Sequence, residues 1–369
     1  MKKIMVTGAT GFLGGAVVTE LIKSNHIDNL LLLARGDEKS SALQRVKNNL
    51  IKFGIDEIIL SRITAQQILE GDLSSPEKFI SDLRLEQVEK VINCAAIASF
   101  GNNPLIWKVN VEGTFELASR MSKVKGLKRF IHIGTAMSCV PAPNTNVTEG
   151  MNPTQRKDHI VEYTWSKSTI EQMIKNKLPG FPLVIARPSI VVGHTVHGCK
   201  PSASIFWVFR MALKLGKFMC NLEDRIDVIP VDYCAKAIIK LLQAPMLYHP
   251  VYHISSGKKS SVTFAEIDQA MAGASDSQPV SNNYKKVGYK ELLQEKHNFS
   301  SLFGDCNEKI ILKSMMLYGE FSKLNVTFDN EKILELGMPV SPRFTDYIDI
   351  CHNSVKEKML SELMAVDFK

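Results

Sequence analysis

Short apolar runs alternate with amphipathic stretches of helix length through the first two-thirds of the chain. This alternation is typical of βαβ units, in which helices cover both faces of a parallel sheet and the strands are apolar throughout. We therefore expect an α/β fold with a doubly wound parallel sheet. The runs predict strands at Lys3–Thr7, Asn29–Ala34, Lys90–Asn93, Arg129–Ile133 and Leu183–Ala186.

A glycine-rich loop follows the first of these strands and opens the first helix. Its glycines let the backbone turn tightly and approach a pyrophosphate, and the free N–H groups of a helix N-terminus attract negative charge. The order strand, loop, helix predicts a dinucleotide site in a Rossmann-type domain. We expect the cofactor contacts in this loop from Gly8, Thr10, Gly11, Phe12, Leu13 and Gly14.

The end of the second strand bears on the choice of cofactor. NAD sites usually carry a carboxylate there for the ribose 2′-hydroxyl, whereas this chain has Arg35, which is suited to a 2′-phosphate. The sequence therefore favours NADPH, while Asp37 and Glu38 keep NADH open as an alternative. Farther along the chain, contacts with the cofactor are expected from Asp72, Leu73, Ala95 and Ala96.

A tyrosine and a lysine four residues apart form the candidate catalytic pair. Tyr163 and Lys167 fall on one face of a predicted helix. A nearby ammonium group is expected to lower the pKa of the phenol, so that Tyr163 can exchange a proton with a substrate oxygen. Thr135, just past a strand end, is the candidate to hold that oxygen, and Ser138 is the alternative.

The motifs together resemble those of the extended short-chain dehydrogenase/reductase superfamily, over roughly residues 1–260. Within it, Cys94 to Phe100 and Arg187 to Val191 are most similar to the thioester-reductase and fatty-acyl-reductase branch, the male-sterility NAD-binding type. The resemblance implies that Lys167 also binds the nicotinamide ribose and that Pro188 lies near the nicotinamide. It extends the implied cofactor-binding set to Asn110 and Ser189.

Beyond about residue 255 the alternation of strands and helices weakens. We expect residues 1–193 and 221–254 to form the NAD(P)-binding domain, and residues 194–220 and 255–369 to form a smaller, discontinuous substrate lobe. The aromatic stretch Ala203–Leu213 is interpreted as a wall of an apolar pocket, with buried core and a membrane-surface helix as alternatives.

These features favour an NADPH-dependent reductase that transfers hydride to a carbonyl, with an acyl thioester, bound to CoA or to a carrier, as the favoured substrate. The alternatives are a ketone or alcohol oxidoreductase of the hydroxysteroid or dihydroflavonol type, and a nucleotide-sugar epimerase. An alternative of another class is a non-catalytic protein that senses NADP(H), although such a protein has no need of the Tyr163 and Lys167 pair.

Net charge and cysteine content exclude fewer functions than the motifs do. The chain has 45 Lys and Arg against 38 Asp and Glu, a net charge of +7 over 369 residues, which fits phosphate ligands as well as no ligand at all. Seven cysteines without a C-x-x-C pair predict reduced thiols and a cytoplasmic protein. We expect no transmembrane segment, no nucleic-acid partner and no metal site. A homodimer stays open.

Overall fold

The computed structural model describes residues 2–101, 103–150, 154–281 and 283–364. Its strands are β1 Lys3–Thr7, β2 Leu30–Ala34, β3 Ile68–Glu70, β4 Val88–Asn93, β5 Arg129–Ile133, β6 Asn146–Val147, β7 Leu183–Pro188, β8 Ile190–Val191, β9 Lys217–Phe218, β10 Arg225–Ile226, β11 Val228–Ile229, β12 Val251–Ile254, β13 Val262–Thr263, β14 Lys285–Lys286 and β15 Thr327–Phe328. Its helices are α1 Phe12–Lys23, α2 Ala42–Ile51, α3 Glu57–Ser61, α4 Leu105–Trp107, α5 Thr114–Met121, α6 Glu162–Lys177, α7 Phe206–Leu215, α8 Val231–Gln243, α9 Gly257–Ser260, α10 Phe264–Ala274, α11 Tyr289–Gln294, α12 Phe299–Phe303, α13 Glu308–Ser322, α14 Glu331–Glu335, α15 Ile348–Val355 and α16 Leu360–Met364.

Seven of the strands form one parallel sheet in the order β12-β7-β5-β4-β1-β2-β3. The order reverses between β1 and β4, which is the point where doubly wound sheets bind ligands beyond the carboxyl ends of their strands. The predicted fold class is therefore confirmed. The bounds of β1 and β5 agree with the sequence prediction, whereas β3 and β12 were not predicted.

Side chains alternate between two cores along each buried strand. In β1, Ile4 and Val6 pack with α1, α2 and α8, while Met5 faces the opposite way and packs with α5 and α6. Both faces of the sheet are thus covered by helices, which explains why a strand such as β2, with the sequence LLLLA, is apolar at every position.

A separate apolar core holds the second part of the chain together. It joins α7 with α10, α12, α13, α15 and α16. The predicted domain boundaries stay a prediction, and residues 365–369 of the predicted lobe lie outside the described residues. Ile333 and Met338, from the C-terminal part of the chain, pack into the core of the sheet domain. No helix in the described part of the chain is long and apolar enough to cross a membrane.

Candidate active site

One cavity of about 610 Å³ runs along the carboxyl ends of the central strands and continues into the second core. Its wall includes residues that end or directly follow β1, β2, β4, β5 and β7, among them Gly8, Ala34, Cys94, Gly134 and Pro188. Parallel strands bring these positions to one edge of the sheet although they are far apart in sequence. The cavity therefore lies where the sequence placed the cofactor.

The glycine loop leaves a helix N-terminus open to an anion. Gly11 is the N-cap residue of α1, no side chain caps this helix, and its first turn holds no acidic residue. The loop is tight: Gly8 has φ +73°, and a Cβ on Gly14 would lie 2.0 Å from the Gly8 carbonyl oxygen. Backbone N–H groups without side-chain partners, in a turn that only glycine allows, fit the pyrophosphate of a dinucleotide.

The two charged residues predicted at the adenosine end contact each other. Arg35 Nη1 lies 2.9 Å from Asp72 Oδ2, and both residues line the cavity. Burial alone would raise the pKa of Asp72, but hydrogen bonds from Ser74 and the charge of Arg35 lower it, so the carboxylate stays ionised. The carboxylate of Asp37, a residue on which NADH was based as the alternative cofactor, lies 3.3 Å from Arg45 Nε.

Tyr163 and Lys167 lie one turn apart on α6, and both line the cavity. Lys167 is 2% exposed; its Nζ donates a hydrogen bond to the Ile133 carbonyl at 2.7 Å and lies 6.0 Å from the centre of the Tyr163 ring. Burial lowers the pKa of Lys167 to about 8. Burial, and after it the Glu171 carboxylate, raise the pKa of Tyr163 to about 12, which is the opposite direction to the lowering expected from Lys167.

Of the two hydroxyl groups proposed to hold the substrate oxygen, the cavity wall includes that of Thr135. Its Oγ1 accepts a hydrogen bond from the Met137 N–H at 3.3 Å and retains its own hydrogen for donation. Ser138 is buried and donates to the Thr135 carbonyl at 2.7 Å, away from the cavity wall. The alternative assignment to Ser138 is therefore disfavoured by its position.

Asn110 is the one residue of the implied cofactor set that the cavity wall does not include. Its amide is buried and accepts from the Ile97 N–H at 2.8 Å while donating to the Ile97 carbonyl and to Ser166 on α6. Because Ile97 lines the cavity and Ser166 precedes Lys167, Asn110 supports the site from behind. The contact between Asn110 and the cofactor that the resemblance implies stays a prediction.

The predicted apolar wall is confirmed on one face of α7. Ile205, Val208, Phe209, Ala212 and Leu213 line the cavity at helical spacing. The opposite face, which includes Phe206, Trp207 and Met211, packs into the second core. The two sequence interpretations of this stretch, pocket wall and core, therefore both hold, and Val208 and Phe209 belong to both.

A family model described as male sterility protein, an NAD-binding type, matches residues 6–238. The chain belongs to this family. A putative fatty acyl-CoA reductase of Drosophila melanogaster is 24% identical over 311 residues, which are 72% of this chain and 57% of that protein. This chain thus spans little more than half the length of that relative.

Two solved structures have folds similar to that of this male sterility family member. The terminal reductase domain of the myxalamid biosynthetic pathway superposes with a TM-score of 0.76 at 19% identity, over 97% of this chain and 91% of that one. A thiolation-reductase di-domain from an archaeal non-ribosomal peptide synthetase gives 0.71 at 19% identity, over 96% and 75%. At such identities the likeness establishes the fold, including the second core, and nothing of the substrate.

Several residues that line the cavity were not predicted from the sequence to lie at this site. The rings of Tyr318 and Phe321, on α13, each lie 5.0 Å from the Phe100 ring, which is itself 6.2 Å from that of Tyr163. Arg225 also lines the cavity. No periodic pattern marks these positions, because the tertiary packing of the lobe on the sheet brings them to the site.

Burial keeps the thiol of Cys94 protonated, and no metal-holding cluster of side chains is found in the described part of the chain. All seven cysteines are free, and burial raises the pKa of the cavity-lining Cys94 to about 12, so it stays a thiol rather than a nucleophilic thiolate. Among residues 2–101, 103–150, 154–281 and 283–364, no group of three or more His, Cys, Asp or Glu side chains is placed to hold a metal ion.

Proposed function

We propose that this protein is an NADPH-dependent reductase of acyl thioesters. The observation that carries the proposal is that three features line the same cavity: the uncapped N-terminus of α1, the Tyr163 and Lys167 pair, and the apolar face of α7. A site that joins a dinucleotide cradle, a proton donor and an apolar wall suits transfer of hydride to a carbonyl that carries a sizeable apolar group. Fatty acyl-CoA reductase relatives support the thioester as that carbonyl.

The cofactor end of the cavity is built to bind phosphates. The backbone of the glycine loop would hold the pyrophosphate, and Arg35 would face a 2′-phosphate at the end of β2. A bound nicotinamide cofactor supplies hydride, which the side chains of this chain cannot do. Lys167 would bind the nicotinamide ribose from α6, with Pro188 and Ser189 near the nicotinamide at the end of β7.

Tyr163 would act as the proton donor. With a pKa of about 12 the phenol is fully protonated at neutral pH, which suits reduction because the reduced carbonyl oxygen must gain a proton. The hydroxyl of Thr135 would donate a hydrogen bond to the same oxygen as negative charge develops on it. Hydride addition to the thioester carbon, protonation of its oxygen and loss of the thiol together give an aldehyde and a free thiol. A second hydride and proton would give the alcohol.

The test is turnover of NADPH with an acyl-CoA, with aldehyde, alcohol and free CoA identified by mass spectrometry. We expect Tyr163→Phe to lower kcat by about 100-fold or more, the scale of a lost general acid, with little change in binding of the cofactor. Tyr248→Phe is the matched control, because Tyr248 is exposed. Full activity of Tyr163→Phe would contradict the proposed mechanism, and turnover of ketones alone would contradict the substrate class.

Preference for NADPH is tested at Arg35. We expect Arg35→Ala to raise KM for NADPH by about 10-fold, because a charged hydrogen bond to phosphate is lost, and to leave KM for NADH nearly unchanged. Arg62→Ala is the matched control: Arg62 is an exposed arginine paired with Asp28, outside the cavity wall. An equal rise in KM for both cofactors would show that Arg35 does not bind the 2′-phosphate.

A further inference from the structure

We propose that Arg225 binds an anionic group of the substrate, namely the phosphate of a phosphopantetheine arm or a carboxylate within the acyl part. This proposal rests on the proposed function and names what the thioester must carry. Arg225 is exposed and lines the cavity. It comes from β10, which pairs with β13 in the second part of the chain.

The other charges of the cavity wall are already engaged. Arg35 and Asp72 pair with each other, and Lys167 donates to the Ile133 carbonyl. Asp227 is 2% exposed and accepts hydrogen bonds from the backbone of Ser256, Gly257 and Phe328 and from the Ser256 hydroxyl. Within the described residues, no carboxylate lies within 4.0 Å of the Arg225 guanidinium.

The guanidinium is held in place by one nitrogen only. Arg225 Nη1 donates to the carbonyl of the buried Ser261 at 2.9 Å and lies 3.5 Å from its hydroxyl oxygen. Nε and Nη2 have no acceptor among the described residues. These two nitrogens form the edge of the guanidinium that presents two parallel N–H groups, which matches two oxygens of a phosphate or carboxylate.

The neighbouring carboxylates do not neutralise this edge. Asp224, the preceding residue, accepts hydrogen bonds from the Asn221 backbone and amide. The backbone N–H of Arg225 donates to Asn325 Oδ1 at 2.7 Å, and Asn325 also lines the cavity. A polar amide therefore fixes the backbone beside the guanidinium, which reduces the entropy lost when the arginine binds an anion.

Arg225 comes from a different part of the cavity wall than the residues expected to hold the phosphates of the cofactor. β11 pairs with β8 directly beyond β7, and Arg225 lies three residues before Val228 of β11. Arg35 follows β2, four strands away from β7 in the sheet, which at about 4.8 Å per strand is roughly 19 Å. An anion at Arg225 would thus belong to the substrate rather than to the 2′-phosphate of the cofactor.

Two lysines near the end of α7, Lys214 and Lys217, are not placed to bind this anion. Lys217 forms an ion pair with Glu295, and neither Lys217 nor Lys214 lines the cavity. Lys214 is exposed on α7 and is therefore the matched control, since its removal takes one positive charge from the same lobe without changing the cavity wall.

The experiment uses two pairs of substrates. The first pair carries the same acyl group on phosphopantetheine and on pantetheine, so that its members differ only in the phosphate. The second pair consists of two pantetheine thioesters whose acyl parts differ only in a terminal carboxylate. For each, kcat/KM is measured in the wild type, Arg225→Ala, Arg225→Lys and Lys214→Ala. We expect a preference of about 10- to 100-fold for one anionic member in the wild type, lost in Arg225→Ala, partly kept in Arg225→Lys and kept in Lys214→Ala. KM for NADPH should not change.

Binding of the matching unreactive thioethers, measured by calorimetry, separates this proposal from the proposed function. If no thioester is reduced, the proposed function fails, while an affinity for the anionic thioether that Arg225→Ala abolishes still supports the anion site. If the phosphate determines the preference, the anion is that of the pantetheine arm; if the carboxylate does, it lies in the acyl part. Equal affinities within both pairs, or a preference that survives in Arg225→Ala, would overturn the proposal.

Discussion

Burial moves the pKa values of the two catalytic candidates in opposite directions. It raises that of Tyr163 to about 12 and lowers that of Lys167 to about 8. The phenol therefore keeps its proton throughout the ordinary pH range, while the ammonium group loses its proton as the pH rises past about 8. Any step that needs the positive charge of Lys167 must weaken in that range.

We therefore expect kcat/KM for reduction to be level near neutral pH and to fall tenfold per pH unit well above a midpoint at about 8. The reason is that only the protonated lysine carries the positive charge that strengthens its hydrogen bonds to the ribose and favours negative charge on the phenol oxygen. Initial rates between pH 6 and 10 measure this. Lys175→Ala, at an exposed position farther along α6, should leave the profile unchanged. A profile that stays level up to pH 10 would remove Lys167 from the rate-determining chemistry.

At the scale of single residues, the sequence predicted the cavity-lining positions that depend on local geometry alone. The glycines of the loop and the Tyr163 and Lys167 pair require only a turn and a helix, so their spacing is enough. The hydrogen-bond partners of Asn110 and Arg225 could not be predicted, because they are distant backbone groups: those of Ile97 for the first and of Ser261 for the second. Ser138 and Thr135 differ only in which way a turn directs each hydroxyl.

At the scale of elements, a buried ion pair joins α6 to β7. Glu171 lies one turn beyond Lys167, and its carboxylate accepts from Arg187 Nε at 3.1 Å, with side-chain exposures of 1% and 4%. A Cβ on Gly134 would lie 2.3 Å from Glu171 Oε1, so the pair also fits closely under the end of β5. This contact fixes the helix that carries Tyr163 against the strand that leads to Pro188.

We expect Glu171→Gln to lower the free energy of unfolding by about 3–5 kcal/mol, because it leaves the buried charge of Arg187 without the opposite charge of a carboxylate. Urea unfolding followed by circular dichroism measures the loss. Glu20→Gln is the control: it breaks the surface pair with Lys23 on α1 and should cost no more than about 0.5 kcal/mol. Similar small losses in both variants would mean that the buried pair does not hold α6 in place.

The elements that the sequence missed are those with the weakest patterns. β3 has three residues, and β12 has four, with a histidine and a tyrosine among them. Runs of this length do not distinguish a strand from a turn, and both strands lie at the edges of the sheet, where pairing with β2 and β7 determines them. α7 shows the opposite case, since its length and apolar character predicted a wall but not which face lines the cavity.

At the scale of the whole molecule, the site exists only because two cores meet. The sheet domain contributes the glycine loop and α6, and the second core contributes α7 and the aromatic residues near Phe100. The first contribution follows from the βαβ pattern. The second depends on how the lobe packs against the sheet, a long-range arrangement that no local periodicity encodes.

Under the proposed function, this division would assign the selection of the acyl group to the lobe. Ala212 is half-buried on the face of α7 that lines the cavity, so Ala212→Phe would add a ring to the wall without overfilling a core. We expect kcat/KM for long-chain acyl thioesters to fall by about 10-fold or more, since excluding two CH₂ groups costs about 1.6 kcal/mol, while acetyl thioesters and NADPH are used as before. Lys214→Phe, which adds the same ring outside the cavity wall, should leave chain-length preference unchanged. An equal loss for short and long chains in Ala212→Phe would show that the acyl group does not lie along α7.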